Sequence, residues 1–191
     1  QRVGGFFDQT QDSLKPRLAE LKQPAFRAAQ LFEWVYQKGA ASYDAMTSLP
    51  QRLRAELAAG LPIYRSSVAT RQESRDGTVK LLLEWPDGAT SECVLIPDED
   101  RRTACISTQV GCPVKCVFCA SGIGGLQRQL SAGEIVEQAM RVRALCEPDA
   151  RLSNTVFMGL GEPLANYDAT VAAARAINAP WGMGIGARKI T

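Results

Sequence analysis

Three cysteines, Cys112, Cys116 and Cys119, stand within eight residues in a C-x3-C-x2-C pattern, close enough to wrap three thiolates round one inorganic centre. The surrounding run is Cys105-Ile-Ser-Thr-Gln-Val-Gly-Cys112-Pro-Val-Lys-Cys116-Val-Phe-Cys119. A structural zinc takes four nitrogen or sulfur ligands, and the chain has no histidine. A zinc site completed by Cys105 or Cys93 is therefore one reading. An iron–sulfur cluster is held by cysteine alone, usually by four. Three local thiolates point to a [4Fe–4S] cluster with one iron left open, and an open position marks a catalytic metal rather than a structural one.

A second group lies at Gly159-Leu-Gly161-Glu162-Pro163. Glycine lets a backbone approach a ligand closely, and a carboxylate accepts hydrogen bonds from an ammonium group. Gly-x-Gly alone reads as an ordinary turn between strand and helix. The glycines at 122–125 and 182–186 lack the Gly-Lys-Ser/Thr ending of a phosphate loop. On its own Glu92 reads as an exposed strand glutamate, and Cys105 as a buried strand cysteine, the usual fate of a free thiol. Cys93 and Cys146 read as core or helix-face residues.

The elements that position these residues follow from periodicity. Ser13 is expected to cap a short helix to about 21, with Leu14, Leu18 and Leu21 on one face. Pro24 suits the first turn of a helix over 24–38 that ends at Gly39, its stripe formed by Phe26, Leu31, Trp34 and Val35. A third helix follows Pro50, with Leu53 and Leu57 inward and Gly60 at its end. Trp34 and Tyr36 are expected in the core. From residue 66 the period becomes two: Val79, Leu81, Leu83 and Trp85 alternate with Thr78, Lys80, Leu82 and Glu84. Asp76-Gly77 and Asp87-Gly88 supply turns for a three-strand antiparallel meander over 67–73, 78–85 and 90–96.

After residue 103 the pattern becomes β/α. A strand over 104–110 should run into the cysteine loop. Ser131 and Glu134 make a capping box for a helix over 132–146, with Ile135, Ala139, Val142 and Cys146 in one stripe. A strand over 154–159, a helix over 167–178 and a strand opening at Lys189 complete the series. Such alternation means parallel pairing, with ligands at the C-terminal ends of the strands. The fold expected is thus α+β at the N-terminus, a small helical bundle (1–65) and a β meander (66–103). The start of a partial, truncated (β/α) barrel (104–191) follows.

Bulk composition narrows the class. Hydrophobic content of 46% and charged content of 22% suit a soluble globular protein. No apolar run approaches the ~20 residues that span a bilayer, and clustered cysteines favour a reducing compartment, so a cytoplasmic protein with no membrane partner is expected. A net charge of +2 is too small to announce nucleic-acid binding by itself, although both ends are basic around an acidic stretch at 66–100.

With Phe118 before its last cysteine, C-x3-C-x2-C resembles the cluster motif of radical S-adenosylmethionine (SAM) enzymes. The wider run CISTQVGCPVKCVFCASGIGGLQRQLSAGEIVEQ (105–138), together with FMGLGEPLANY (157–167), resembles the RlmN/Cfr group of RNA adenine methyltransferases. The similarity extends from PAFRAAQLFEWVYQKG (24–39) onward, and it is on the RlmN side. The resemblance implies that Cys112, Cys116 and Cys119 bind a [4Fe–4S] cluster and that Gly161 and Glu162 contact SAM. It implies that Glu92 accepts a proton and that Cys105 closes a transient disulfide releasing product. It also implies 23S rRNA and tRNA as substrates, methylated at adenosine C2, an RNA-facing role for the N-terminal helices, and an electron donor such as flavodoxin. Methylation at C8, a different radical SAM enzyme such as a glycyl-radical activase, and a non-catalytic metal-binding RNA module are the alternatives. The methyl-carrying cysteine of the family is expected beyond residue 191, so the chain alone is expected to be inactive.

Overall fold

Val79, Leu81, Leu83 and Trp85 are all buried, and Lys80 and Leu82 between them are half-exposed; this alternation seeds the main sheet. The computed structural model describes residues 4–147 and 149–191. Strand β2 (Val79–Glu84) pairs antiparallel with β1 (Ser67–Glu73) on one side and β3 (Thr90–Asp98) on the other. Gly77 and Gly88 turn the chain between them at φ +82° and +78°, a left-handed backbone that glycine adopts without steric cost.

The antiparallel run does not stop there. A tight turn at Glu99 leads into β4 (Arg101–Cys105), antiparallel to β3, so the meander has four strands rather than three. Strand β7 (Asn154–Val156) then lies parallel to β4, and one further parallel bridge joins Thr155 to Ile190. The sheet order is β1-β2-β3-β4-β7.

The strand expected over 104–110 is broken in two. It begins at Arg101, ends at Cys105, and reappears as β5 (Gln109–Gly111), which pairs with β6 (Leu126–Gln129) in a separate ribbon. The cause is competition for backbone hydrogen bonds. Ser107 gives its N–H and C=O to the Gln138 side chain, and the N–H groups of Thr108 and Gln109 turn to the Leu160 carbonyl. The expected strand over 154–159 stops at Val156 for the matching reason, since Gly159 N–H bonds to Ile106 O. Residues 187–189 form a single 3-10 turn, and Ile190 and Thr191 then pair parallel with β7, through the Thr155–Ile190 bridge and the bonds of Thr191 to Thr155 and Phe157.

Helix α1 (Gln11–Glu20) is capped by Thr10, not Ser13; the Thr10 hydroxyl accepts from Ser13 N–H and Ser13 returns the bond. Helix α2 (Arg27–Phe32) starts three residues later than expected and widens into a π-helical turn over Glu33–Gln37. That wide turn buries Val35 and Tyr36 together and leaves Phe26 58% exposed, outside the stripe assigned to it. Helix α3 (Gln51–Gly60) buries Leu53 and Leu57.

Helix α4 (Ala132–Arg143) is the centre of the molecule, packed on β3, β4 and helix α5 (Tyr167–Asn178). Its capping box is Ser131 with Glu134, as the sequence indicates. Ile135, Val136, Ala139, Met140 and Val142 are all buried, and a fully buried side chain of this size contributes about 1.5–3 kcal/mol.

The N-terminal helices share this core. Phe6 and Phe7 join a cluster with Phe32, Tyr36, Tyr64 and Trp181. Asp8 accepts from Gly133 N–H and Ser131 Oγ at the start of α4. Buried Glu137 accepts from the N–H groups of Arg65 and Ser66 and from the Ser66 hydroxyl. Among the described residues no helix is long and apolar enough to cross a membrane.

Candidate functional site

Alternation along β3, β4 and β7 divides their residues between two faces. Ser91, Cys93, Leu95, Ala104 and Thr155 are buried on the α4 side, whereas Glu92, Val94, Cys105 and Val156 are half-exposed on the other. The register aligns Val94, Cys105 and Val156 in one row, with Glu92 one step along on the same face. Glu92 and Cys105 are therefore diagonal neighbours, a relation within reach of long side chains across a sheet.

The Glu92 carboxylate meets the Lys80 ammonium at 3.1 Å. Lys80 reaches it because Lys80 pairs with Val94 while Leu82 pairs with Glu92. The sequence shows that Lys80 points away from the core; the ion pair depends on register, which sequence alone does not supply. Burial pushes the Cys105 thiol above its ordinary value, partly offset by a hydrogen bond from the Met158 backbone. Cys93, on the opposite face, is fully buried and pushed up to about 12. Its place in the core removes it as a fourth zinc ligand.

The three clustered cysteines hang on the loop between β5 and β6. Gly111 (φ +74°) closes the base, where a side chain would stand 2.0 Å from Gly125 O. Cys112 N–H bonds to Gly125 O at 3.2 Å, and Cys119 N–H to Cys116 O at 3.1 Å. Cys116 is exposed, while Cys112 and Cys119 are half-exposed. Hydrogen bonds from Ser121 hold the Cys119 thiol below the usual range, which favours the thiolate that metals bind.

The structure puts the three thiols on one loop but not at one point: among the described residues no three Cys, His, Asp or Glu side chains converge on a metal position. All six cysteines are free, and the disulfide that the resemblance implies for Cys105 needs a partner that is none of them. The donor chemistry nonetheless fits an iron–sulfur cluster, with thiolates as the ligands and no imidazole in the chain. Cys116 and Cys119 also line a cavity of about 510 Å³ with Lys115 and Phe118.

The Gly-Glu-Pro turn packs against the break between β4 and β5. A side chain at Gly159 would come 2.7 Å from Ser107 Oγ, and one at Gly161 would come 2.5 Å from Gln109 Cβ. Gly161 also has φ +99°. Glu162 N–H bonds to Gln109 Oε1 at 2.8 Å, and the Glu162 carboxylate caps the following turn by accepting from Leu164 N–H.

Three residues that sequence reasoning passed over organise this junction: Ser107, Gln109 and Gln138, all buried. Ser107 Oγ donates to Glu92 O and accepts from Leu160 N–H, joining the Glu92 strand to the glycine turn. The signal for them was the polar triplet Ser107-Thr108-Gln109, set where a buried strand was expected. Cys105, the cysteine loop and the Gly-Glu-Pro turn thus lie together beyond the C-terminal ends of β4 and β7, where parallel sheets bind ligands.

Comparison with known proteins extends this picture. Residues 5–63 match the ribosomal RNA large subunit methyltransferase N-terminal domain, and residues 106–190 match the radical SAM superfamily. A probable dual-specificity RNA methyltransferase RlmN 3 of Opitutus terrae is 48% identical over 200 residues, covering 96% of this chain and 53% of that protein. A probable dual-specificity RNA methyltransferase RlmN of Bacillus subtilis is 45% identical, covering 94% and 50%. The crystal structure of a radical SAM methyltransferase from Sphaerobacter thermophilus superposes with a TM-score of 0.93 at 43% identity, covering 98% of this chain and 55% of that one. The chain spans about half the length of the curated relatives it matches.

Proposed function

We propose that this chain, which matches the RlmN-type N-terminal and radical SAM models over residues 5–63 and 106–190, is a segment of a radical SAM enzyme of the RlmN family that serves the methylation of adenosine C2 in 23S rRNA and tRNA. The observation that carries the reading is the shared placement of four features at one end of the sheet. Glu92 and Cys105 lie on one face, and the cysteine loop and the Gly-Glu-Pro turn flank the strand end where Cys105 stands.

In this reading Cys112, Cys116 and Cys119 hold the [4Fe–4S] cluster, and Gly161 and Glu162 hold SAM. Bound there, the pair would supply a carbon-centred radical, a reactivity that belongs to the cofactors while the protein orients them. Such chemistry suits the substrate, because adenine C2 is electron-poor and offers no lone pair to a methyl cation.

The chain's own residues then have defined tasks. A ring carbon that gains a carbon substituent must lose its hydrogen as a proton, and the half-exposed Glu92 carboxylate is the base for it. Lys80, 3.1 Å away, orients that carboxylate across the strand. In the whole protein Cys105 would attack the sulfur of the methyl-carrying cysteine; the S–S bond forms as the S–C bond to the base breaks, and the proton lost from the thiol is replaced on the freed carbon, which becomes the methyl group. Burial raises its thiol pKa, which disfavours the thiolate. The methyl-carrying cysteine of the family corresponds to none of the six cysteines here. The helices of residues 1–65 form the RNA-facing accessory segment, 66–103 the connecting sheet, and 104–191 the radical SAM core segment.

The test is nucleoside mass spectrometry. The whole protein carrying this segment is expressed in cells lacking their own enzyme of this kind, and 23S rRNA and tRNA are digested. We expect 2-methyladenosine in both. Finding 8-methyladenosine instead would overturn the regiochemistry, and unmodified RNA would overturn the reading.

A further inference from the structure

The cysteine loop and the Gly-Glu-Pro turn are far apart in sequence, yet a pair of side-chain amides connects them. Gln109 and Gln129 face each other as register partners across the β5–β6 ribbon that carries the cysteine loop. Gln109 Nε2 donates to Gln129 Oε1 at 2.9 Å, and Gln129 Nε2 donates to Ala165 O at 2.8 Å. At the other end Gln109 Oε1 accepts the Glu162 N–H at 2.8 Å. That backbone donor fixes which end of the Gln109 amide is oxygen, and so fixes the direction of the whole chain of bonds. Gln109 is fully buried, and its stem fills the space that a side chain at Gly161 would occupy.

We propose that Gln109 is a positioning residue that locks the Gly161-Glu162 turn to the base of the cysteine loop, with Gln129 completing the lock at Ala165. Resting on the radical SAM reading above, the proposal gives Gln109 the task of holding the SAM-contacting backbone at a fixed place relative to the ribbon from which the cluster ligands extend. No bond or group is transferred through it. Two other links strengthen the same junction: Asn166 Nδ2 donates to both Thr108 O and Leu130 O, tying the end of the turn to residues that flank β5 and β6. The arrangement has the mark of a pre-organised site, in which binding energy is not spent on ordering the receptor.

The experiment compares Gln109→Met, Gln109→Glu and Gln129→Glu with the parent chain, reading backbone amide exchange, melting temperature, and SAM affinity after anaerobic cluster reconstitution. Gln109→Met keeps the volume and removes both bonds; Glu162 amide exchange should rise about tenfold while α4 amides keep their protection. Gln109→Glu retains an acceptor for the Glu162 N–H and should restore its protection. Gln129→Glu, at an exposed position, keeps its bond from Gln109 but loses the donor to Ala165, and should leave the Glu162 amide protected.

SAM affinity should fall about three- to tenfold in Gln109→Met at equal iron content, and recover in Gln109→Glu. Unchanged Glu162 exchange in Gln109→Met would overturn the proposal, as would equal loss of protection throughout the chain in both Gln109 variants. SAM affinity is read in the whole protein that carries this segment; if that parent binds no SAM, the radical SAM reading fails, while the exchange data still decide whether the amide lock exists.

Discussion

At the scale of single residues, the site depends on a few side chains held where their chemistry is useful. Glu92, the proposed base, stands on the face it shares with Cys105. In the whole protein, Glu92→Gln should lower turnover about 10²-fold or more in a single-turnover assay, the usual span of general-base contributions; turnover within twofold of the parent would remove Glu92 from that role. Gly161→Ala meets both a left-handed φ of +99° and a 2.5 Å approach to Gln109. It should cost about 1–3 kcal/mol of stability in urea titration, and an unchanged midpoint would contradict the close approach. Cys93 supplies a pH test. Its thiol lies at about 12 in the fold against an ordinary 9.0, so the unfolded chain ionises first as pH rises. Its contribution should be fully present below pH 9 and be lost between 9 and 12, and Cys93→Ala should lessen the decline of stability there, the rest coming from Tyr36, Tyr43 and Tyr64, which burial also pushes up. Sequence foretold the candidates at this scale but not their partners. Lys80 acts through register, which sequence does not supply, and Ser107 and Gln109, although marked by their polar triplet, act through bonds to backbone atoms distant in sequence.

At the scale of elements, helix α4 is the organiser. It carries Glu137, which receives the backbone of Arg65 and Ser66, Glu134, which pairs with Arg128 of β6, and Gln138, which receives Ser107. Asp8 supplies its N-terminus with an acceptor from outside the helix, and also accepts from Gly5 N–H. Asp8→Ala should therefore destabilise the protein by about 1–2 kcal/mol, the worth of a strong cap, with early exchange of the first-turn amides of α4 as the local sign. A change confined to residues 4–10 would mean that α4 caps itself through Ser131. The helices with complete local signals were legible: α4 from its capping box and α5 from its period fall where expected at their starts. In helix α2 Val35 and Tyr36 are inward as expected, but Phe26 stands before the first helical turn and is exposed, and Trp34 is half-exposed with its Nε1–H on Ser48 Oγ. The strand over 104–110 was misread because side-chain and loop partners, not the ladder, take its backbone hydrogen bonds.

At the scale of the whole molecule, one apolar core runs from Phe6 through α4 to Ile177, and the chemistry-bearing residues gather at the edge where parallel strands end. The half-exposed side of β3, β4 and β7 belongs to that edge, and Val117 and Phe118 are exposed on the cysteine loop. The β/α pattern was legible as a class. The four-strand antiparallel run was not, because a turn with Glu99 in a left-handed conformation carries no glycine to announce it. The central claim is that three cysteines on the β5–β6 loop hold a cluster with an open iron beside the Gly-Glu-Pro turn. The most direct measurement is an electron paramagnetic resonance spectrum of the anaerobically reconstituted, reduced protein, recorded before and after adding SAM. A reduced [4Fe–4S] signal that shifts with SAM, and that is lost in Cys116→Ala, is the predicted result. Stoichiometric zinc with no cluster, or a cluster whose spectrum ignores SAM, would contradict it.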